Sequence, residues 1–259
     1  MGFQQGVRLL FNMETLIVSI IAVLSTYICY ELEFYADFPL TLIGIAVVFP
    51  IVFSINSAYK RREIALEHYA SIKAHGRALY YAVRDWVPNS TKRFQTRFKG
   101  YLYEFLVNCR IMFNTGHKDD THREQIIYNK FSKISRFIEE CRKKGMSVGE
   151  ISRCNQYLSK ILISFENMKH IYQYRTPITL RTYSKIFIFL LPIIYGPYFA
   201  RLALSIPYYY LIFLMPILLS VILVSLDNIQ DQLENPFELS GEDDIKNHVE
   251  KFIAELDEK

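Results

Sequence analysis

Residues 39 to 62 read Pro39-Leu-Thr-Leu-Ile-Gly-Ile-Ala-Val-Val-Phe-Pro-Ile-Val-Phe-Ser-Ile-Asn-Ser-Ala-Tyr-Lys-Arg-Arg62. No residue from Leu40 to Tyr59 is charged, and the run ends in three consecutive cations, Lys60, Arg61 and Arg62. About 20 apolar residues in a helix cross a bilayer core. The stretch therefore predicts a membrane span with a cationic exit. Inside it Ile45, Phe49 and Phe53 recur at four-residue steps. Such steps stay on one slowly drifting helix face, here bulky, apolar and aromatic. Gly44 and Pro50 permit close packing and a bend.

Working outward, the same length criterion predicts three more spans. One runs from about Leu10 to Tyr30, one from about Tyr183 to Ala200, and one from about Ile206 to Leu226. Only the acidic Glu31–Asp37 connector separates the first span from the second, and Arg201 is the only charge between the third and fourth. Each pair predicts a hairpin. The first run is too long for a signal peptide and its C-terminal flank is acidic, so it reads as an uncleaved membrane helix.

Between Lys60 and Arg181 the composition changes. Lys and Arg are dense, and apolar residues such as Ile64, Tyr69, Ile72, Leu79 and Val83 recur every three or four positions, the period of an amphipathic helix. Pro88-Asn89-Ser90, Asn114-Thr115-Gly116 and Gly145 divide this segment into four helices. Thr121 with Glu124 and Ser147 with Glu150 carry the capping-box pattern. Strand signals are missing. The expected fold class is an all-α membrane protein with four transmembrane helices in two hairpins plus a cytosolic helical block. Its regions are residues 1–59 (first hairpin), 60–181 (cytosolic helices), 182–227 (second hairpin) and 228–259 (acidic cytosolic tail).

Half of the 259 residues are hydrophobic, yet 22% are charged, which fits apolar spans joined to a large water-facing part. A net charge of +4 gives no expectation of nucleic-acid binding. The four cysteines show no paired or metal-finger spacing. The six histidines complete no ligand set, and no nucleotide, zinc-protease or nucleophile motif is present. No enzymatic activity is expected. Lys and Arg cluster in the central segment and at the exit of the second span, so both termini and the central block are expected on the cytoplasmic side of a plasma or inner membrane. The basic helices beside the bilayer suit lipid headgroups.

Three motifs, in order, resemble the bestrophin family of ion channels. The first is Ile45, Phe49 and Phe53, matching the three apolar residues of the family's pore neck. The second is Asn56-Ser57-Ala58-Tyr59-Lys60-Arg61, similar to the family's Asn-x-x-Tyr-x-Arg continuation, although Arg62 and Glu63 stand where the family usually has two tryptophans. The third is Gln232-Leu233-Glu234-Asn235-Pro236-Phe237, similar to its Asn/Asp-Pro-Phe motif. Arg175-Thr176-Pro177 also looks like the bacterial members. The likeness covers most of the chain by architecture and about a fifth of it residue by residue.

The resemblance implies a homopentamer with one central pore for small ions, ringed by Ile45, Phe49 and Phe53. Phenylalanine edges carry partial positive charge, and Lys60, Arg61 and Arg62 raise the local anion concentration. Chloride is therefore the favoured ion, and a cation-conducting homologue is the alternative. The resemblance places a second, cytosolic aperture near Ile151, which reads equally as a core residue of a helical bundle. Animal members bind calcium after the fourth span, and Gln232, Asn235, Asp243 and Asp244 are the candidate side chains here. The acidic tail reads equally as solvated, and no cofactor is required for conduction. A non-conducting membrane scaffold with a cytosolic helical binding region is the competing class.

Overall fold

The structure, a computed structural model, describes residues 11–37, 40–114, 120–174, 177–205, 208–234, 236–237, 245 and 248–257. Every regular element among them is helical. In chain order these are α1 (Met13–Glu31), α2 (Leu40–Asp85), α3 (Lys92–Asn114), α4 (Asp120–Lys143), α5 (Val148–Gln173), α6 (Ile178–Ile194), α7 (Gly196–Ala203), a 3-10 turn (Tyr209–Phe213), α8 (Leu214–Glu234) and α9 (Val249–Glu255). The helix α1, the apolar part of α2, the α6–α7 pair and α8 are each long and apolar enough to cross a membrane. The chain divides into two units, residues 1–60 with 176–234 and residues 61–175 with 235–259. The sequence reading separates residues 228–259 as a tail, whereas the units divide at Glu234.

In the first unit α1 packs on α6, α7 and α8, and α6 packs on α8. Val18, Val47, Ile51, Ile188, Leu191, Leu223 and Val224 form the core. The side chain of Asn12 caps α1 by accepting from the Thr15 amide at 2.8 Å. A proline inside α2 removes a backbone donor, and a side chain from another helix answers it. Pro50 lies within α2 and leaves the Ala46 carbonyl without its helical N–H. The Tyr183 hydroxyl donates to that carbonyl at 3.3 Å. At the break between α6 and α7 the Ser25 hydroxyl donates to the Ile193 carbonyl at 3.1 Å. Gly196 makes this approach feasible. A Cβ there would overlap Ser25 Oγ and come within 3.1 Å of the Ser25 backbone.

The last span differs from its expected limits. The sequence reading runs it from Ile206 to Leu226, whereas α8 runs from Leu214 to Glu234. Pro216 then falls in the first turn, where a missing N–H breaks no helical bond. Asp227, Gln230 and Glu234 continue the buried stripe begun by Pro216, Ser220 and Leu223, so polar character alone does not end the helix.

The second unit is a helical bundle in which α3 packs on α4, α4 on α5 and α9 on α3. Its core is rich in phenylalanine, including Phe98, Phe105, Phe113, Phe137 and Phe165. The expected capping box at Ser147 is present: Ser147 Oγ accepts from the Glu150 amide and the Glu150 carboxylate accepts from the Ser147 amide. The one expected at Thr121 is not the start of a helix, because α4 already includes Asp120. The Asn235-Pro236-Phe237 motif gains a physical role here. Phe237 is fully buried, stacks on Phe113 at 4.8 Å and meets Tyr172 edge-on at 6.2 Å. The short helix α9 buries Val249 and Phe252, and Arg110 holds Glu250 in a two-pronged pair at 2.7 and 2.9 Å.

Candidate functional site

The spacing of Ile45, Phe49 and Phe53 puts them on one side of α2. The opposite side carries Val47, Ile51, Ser54 and Ala58, all buried within the chain. The three candidates are 57%, 59% and 53% exposed, so none of them is enclosed by the rest of the chain. The rings of Phe49 and Phe53 meet edge to face at 4.6 Å and 89°, which orders the aromatic stripe along the helix. From Ile45 to Phe53 it is about 12 Å tall at 1.5 Å per residue.

The three cations after the span point to different sides of α2. Lys60 keeps the register of the stripe and is exposed. Arg61 is half-buried and donates to the Ile171 carbonyl at 3.4 Å. Arg62 pairs with Glu63 at 2.8 Å. Consecutive helical residues point about a quarter-turn apart, so three in a row share no face.

Ile151 packs at the edge of the helical bundle's core, at 9% exposed. Its neighbour at the start of α5, Val148, is the exposed apolar side chain at that end. Among the calcium candidates Gln232 lies half-buried in the last turn of α8. Asn235, Asp243 and Asp244 lie outside the described residues. Among the described residues no three His, Cys, Asp or Glu side chains converge on a metal position.

A second polar cluster escaped the sequence reading. Arg181 and Lys185 on α6 face Asp227, Asp231 and Glu234 on α8. Arg181 pairs with Asp231 at 2.9 Å and with Glu234 at 3.0 Å, and Lys185 reaches Asp231 at 3.2 Å and Asp227 at 3.9 Å. The signal was present in the three- and four-residue steps from Ser220 through Val224, Asp227 and Gln230 to Glu234. It was masked because the acids read as the onset of a solvated tail.

No family model matches the chain, and no curated protein matches its sequence. Solved structures do match. A one-residue variant of a bacterial bestrophin homologue from Klebsiella pneumoniae superposes with a TM-score of 0.76 at 16% identity, over 97% of this chain and 100% of that chain. A second variant of a Klebsiella pneumoniae bestrophin homologue gives 0.74 at 18% identity, over 94% and 95%. A structure described as a membrane protein gives 0.74 at 17%, over 98% and 99%. At identities this low the likeness is one of backbone architecture. Over nearly its whole length the chain has the fold of the bacterial bestrophin homologues.

Proposed function

We propose that this chain is one subunit of a passive, anion-conducting channel, a homopentamer whose neck is made of rings of Ile45, Phe49 and Phe53. The observation that supports this most is the exposure of all three side chains on a membrane-length helix whose other face is packed. A stripe that lines a shared axis must be left open by its own subunit, as this one is. Identical copies around that axis complete the lining, because cyclic symmetry closes the ring. The neck then gates by dewetting, and phenylalanine edges tolerate a partly dehydrated anion better than a cation. Lys60 supplies positive charge at the cytoplasmic end of the stripe. In this reading two hairpins cross a plasma or inner membrane, both termini are cytoplasmic, and there is no catalytic residue.

No cofactor enters the mechanism. Gln232, Asn235, Asp243 and Asp244 form the calcium candidate set carried by the family resemblance, and their test is a calcium-dependent change in open probability. The channel itself is tested by single-channel recording of the purified protein in asymmetric salt. A reversal potential near the chloride equilibrium value supports the proposal. A reversal near the cation value converts it to a cation channel. A folded oligomer that passes no current overturns it in favour of a scaffold.

A further inference from the structure

The second unit holds a groove of about 630 Å³ between the later turns of α2 and the short helix α9. Sites for small molecules occupy about 300–1,000 Å³. The floor is Ala70, Ala74 and Ala78, a stripe at four-residue steps whose small side chains leave room above the helix. Lys73 and Arg77 flank that floor from α2, and Lys251 and Phe252 line it from α9. The two walls meet. The Arg77 guanidinium lies over the Phe252 ring at 5.6 Å and donates to the Glu255 carboxylate at 3.2 Å. Lys251 approaches the same carboxylate at 4.0 Å. Glu255 is the only acid that lines the groove among the described residues, and Arg77 and Lys251 share it.

Lys73 departs from the way this unit treats its other lysines. Among the described residues of the unit, Lys73, Lys99, Lys130 and Lys169 are the half-buried ones. Acids hold the last three: Asp257 holds Lys99, Glu104 holds Lys130 at 2.7 Å, and Glu166 holds Lys169 at 2.8 Å. Lys73 has no acid at ion-pair distance among the described residues and lies instead over the Tyr69 ring at 4.6 Å. A ring face orients an ammonium but accepts no conventional hydrogen bond from it, so its three donors stay available. Arg77 is also incompletely used. A guanidinium carries five N–H donors, and among the described residues Arg77 makes a hydrogen bond only to Glu255, its Nε having no partner.

We propose that this groove binds a phosphate-bearing anion, held by Lys73 and Arg77 from α2 and by Lys251 from α9. A planar guanidinium fork beside an ammonium point charge suits the several charged oxygens of a phosphate group. Lys73 and Arg77 stand one helical turn apart, a spacing that makes them neighbours, and both are already oriented by aromatic rings. The anion supplies the counter-charge that Lys73 lacks. The site lies wholly within the second unit and does not rest on the channel reading.

The test follows thermal unfolding of the full-length protein in detergent by far-UV circular dichroism, at constant ionic strength set with sodium chloride. The probes are sodium pyrophosphate, ADP and a water-soluble short-chain phosphatidylinositol phosphate, with sodium sulfate as a dianion that carries no phosphate. A phosphate probe is expected to raise the melting temperature by roughly 3–6 °C at ten times its half-saturating concentration. Saturation by pyrophosphate or ADP supports a soluble phosphate compound as the ligand, and saturation by the lipid alone supports a headgroup in the same site. Lys73→Gln breaks no ion pair and is expected to raise the half-saturating concentration about tenfold. Lys251→Gln, on the exposed wall, is expected to weaken binding in the same direction and serves if Lys73→Gln does not fold. Arg136→Gln, an exposed cation on α4 outside the groove, is expected to leave binding unchanged. The proposal is overturned if no phosphate probe gives a saturable rise, or if sulfate gives an equal one, the mark of an adventitious ion only. Unchanged half-saturation in both lysine variants overturns it too, as does equal weakening by Arg136→Gln, because surface charge alone then attracts the anion.

Discussion

Phe49 and Ile51 sit two residues apart on α2, on opposite faces, and the proposed channel requires them to respond oppositely to truncation. Ile51 is fully buried in the first unit's core beside Val47, Ile188 and Leu191. Ile51→Ala removes packed methylenes and leaves a cavity, a change that costs about 2–5 kcal/mol. For a chain of this size that is a fall in melting temperature of roughly 5–15 °C. Phe49 is 59% exposed and meets Phe53 edge-on. Phe49→Ala forfeits that contact, worth about 0.5–1.5 kcal/mol, and opens no core cavity. Its effect appears instead in the ion path. Lowering the neck barrier by about 1.4 kcal/mol multiplies flux tenfold. Chloride efflux from proteoliposomes, normalised to folded protein, reads one outcome, and thermal unfolding reads the other. Phe49→Ala is expected to raise efflux about tenfold with a small melting shift. Ile51→Ala is expected to lower the melting temperature and leave efflux per folded channel unchanged. If Phe49→Ala destabilises as much as Ile51→Ala and leaves efflux where it was, Phe49 packs against structure and the neck assignment is wrong.

Three further outcomes follow from the packing and the charges. Phe237→Ala empties a fully buried aromatic site against Phe113 and Tyr172 and should cost about 3–5 kcal/mol, read as a lower melting temperature. Gly196→Ala forces α1 away from α7 and breaks the Ser25 bond to the Ile193 carbonyl. A loss of about 1–3 kcal/mol is expected, and Ser25→Ala in the same background should add little because the bond is already gone. In the second unit the Lys130 ammonium, at 2.7 Å, holds the Glu104 carboxyl below its ordinary value. Lys99 and the Tyr80 hydroxyl do the same to Asp257. Carboxyls depressed by folding contribute stability that is complete above their unfolded value near about 4 and is lost as pH falls through the folded values. The melting temperature should therefore drop in acid below about pH 4, and Lys130→Met should reduce the Glu104 share of that dependence, Lys133 keeping part of it.

The helical class was legible because its signals are local. An uncharged run as long as Leu40 to Tyr59, or the three- and four-residue period of Ile64 through Val83, allows few outcomes in water or lipid. Ser147 and Glu150 form their expected cap for the same reason, since both groups lie within one turn. The Thr121 box failed because an identical pattern is equally compatible with the interior of a helix already begun at Asp120. The run of Lys60, Arg61 and Arg62 looked like a single charged patch in one dimension. Helical rotation gives each residue a different neighbour.

From sequence alone came the number of membrane-length helices and the chemistry of the stripe on α2, since hydrophobicity and period belong to each segment by itself. Tertiary structure decided which side of α2 is packed, that Phe237 is a core residue, and that Ile151 packs at the edge of the bundle core. It also decided that Asp227 and Glu234 of α8 are buried, facing Lys185 and Arg181. The physical reason is that burial and charge pairing depend on which distant segments meet. An aspartate reads the same in a chain whether water or a neighbouring helix surrounds it, and only the fold determines which one does.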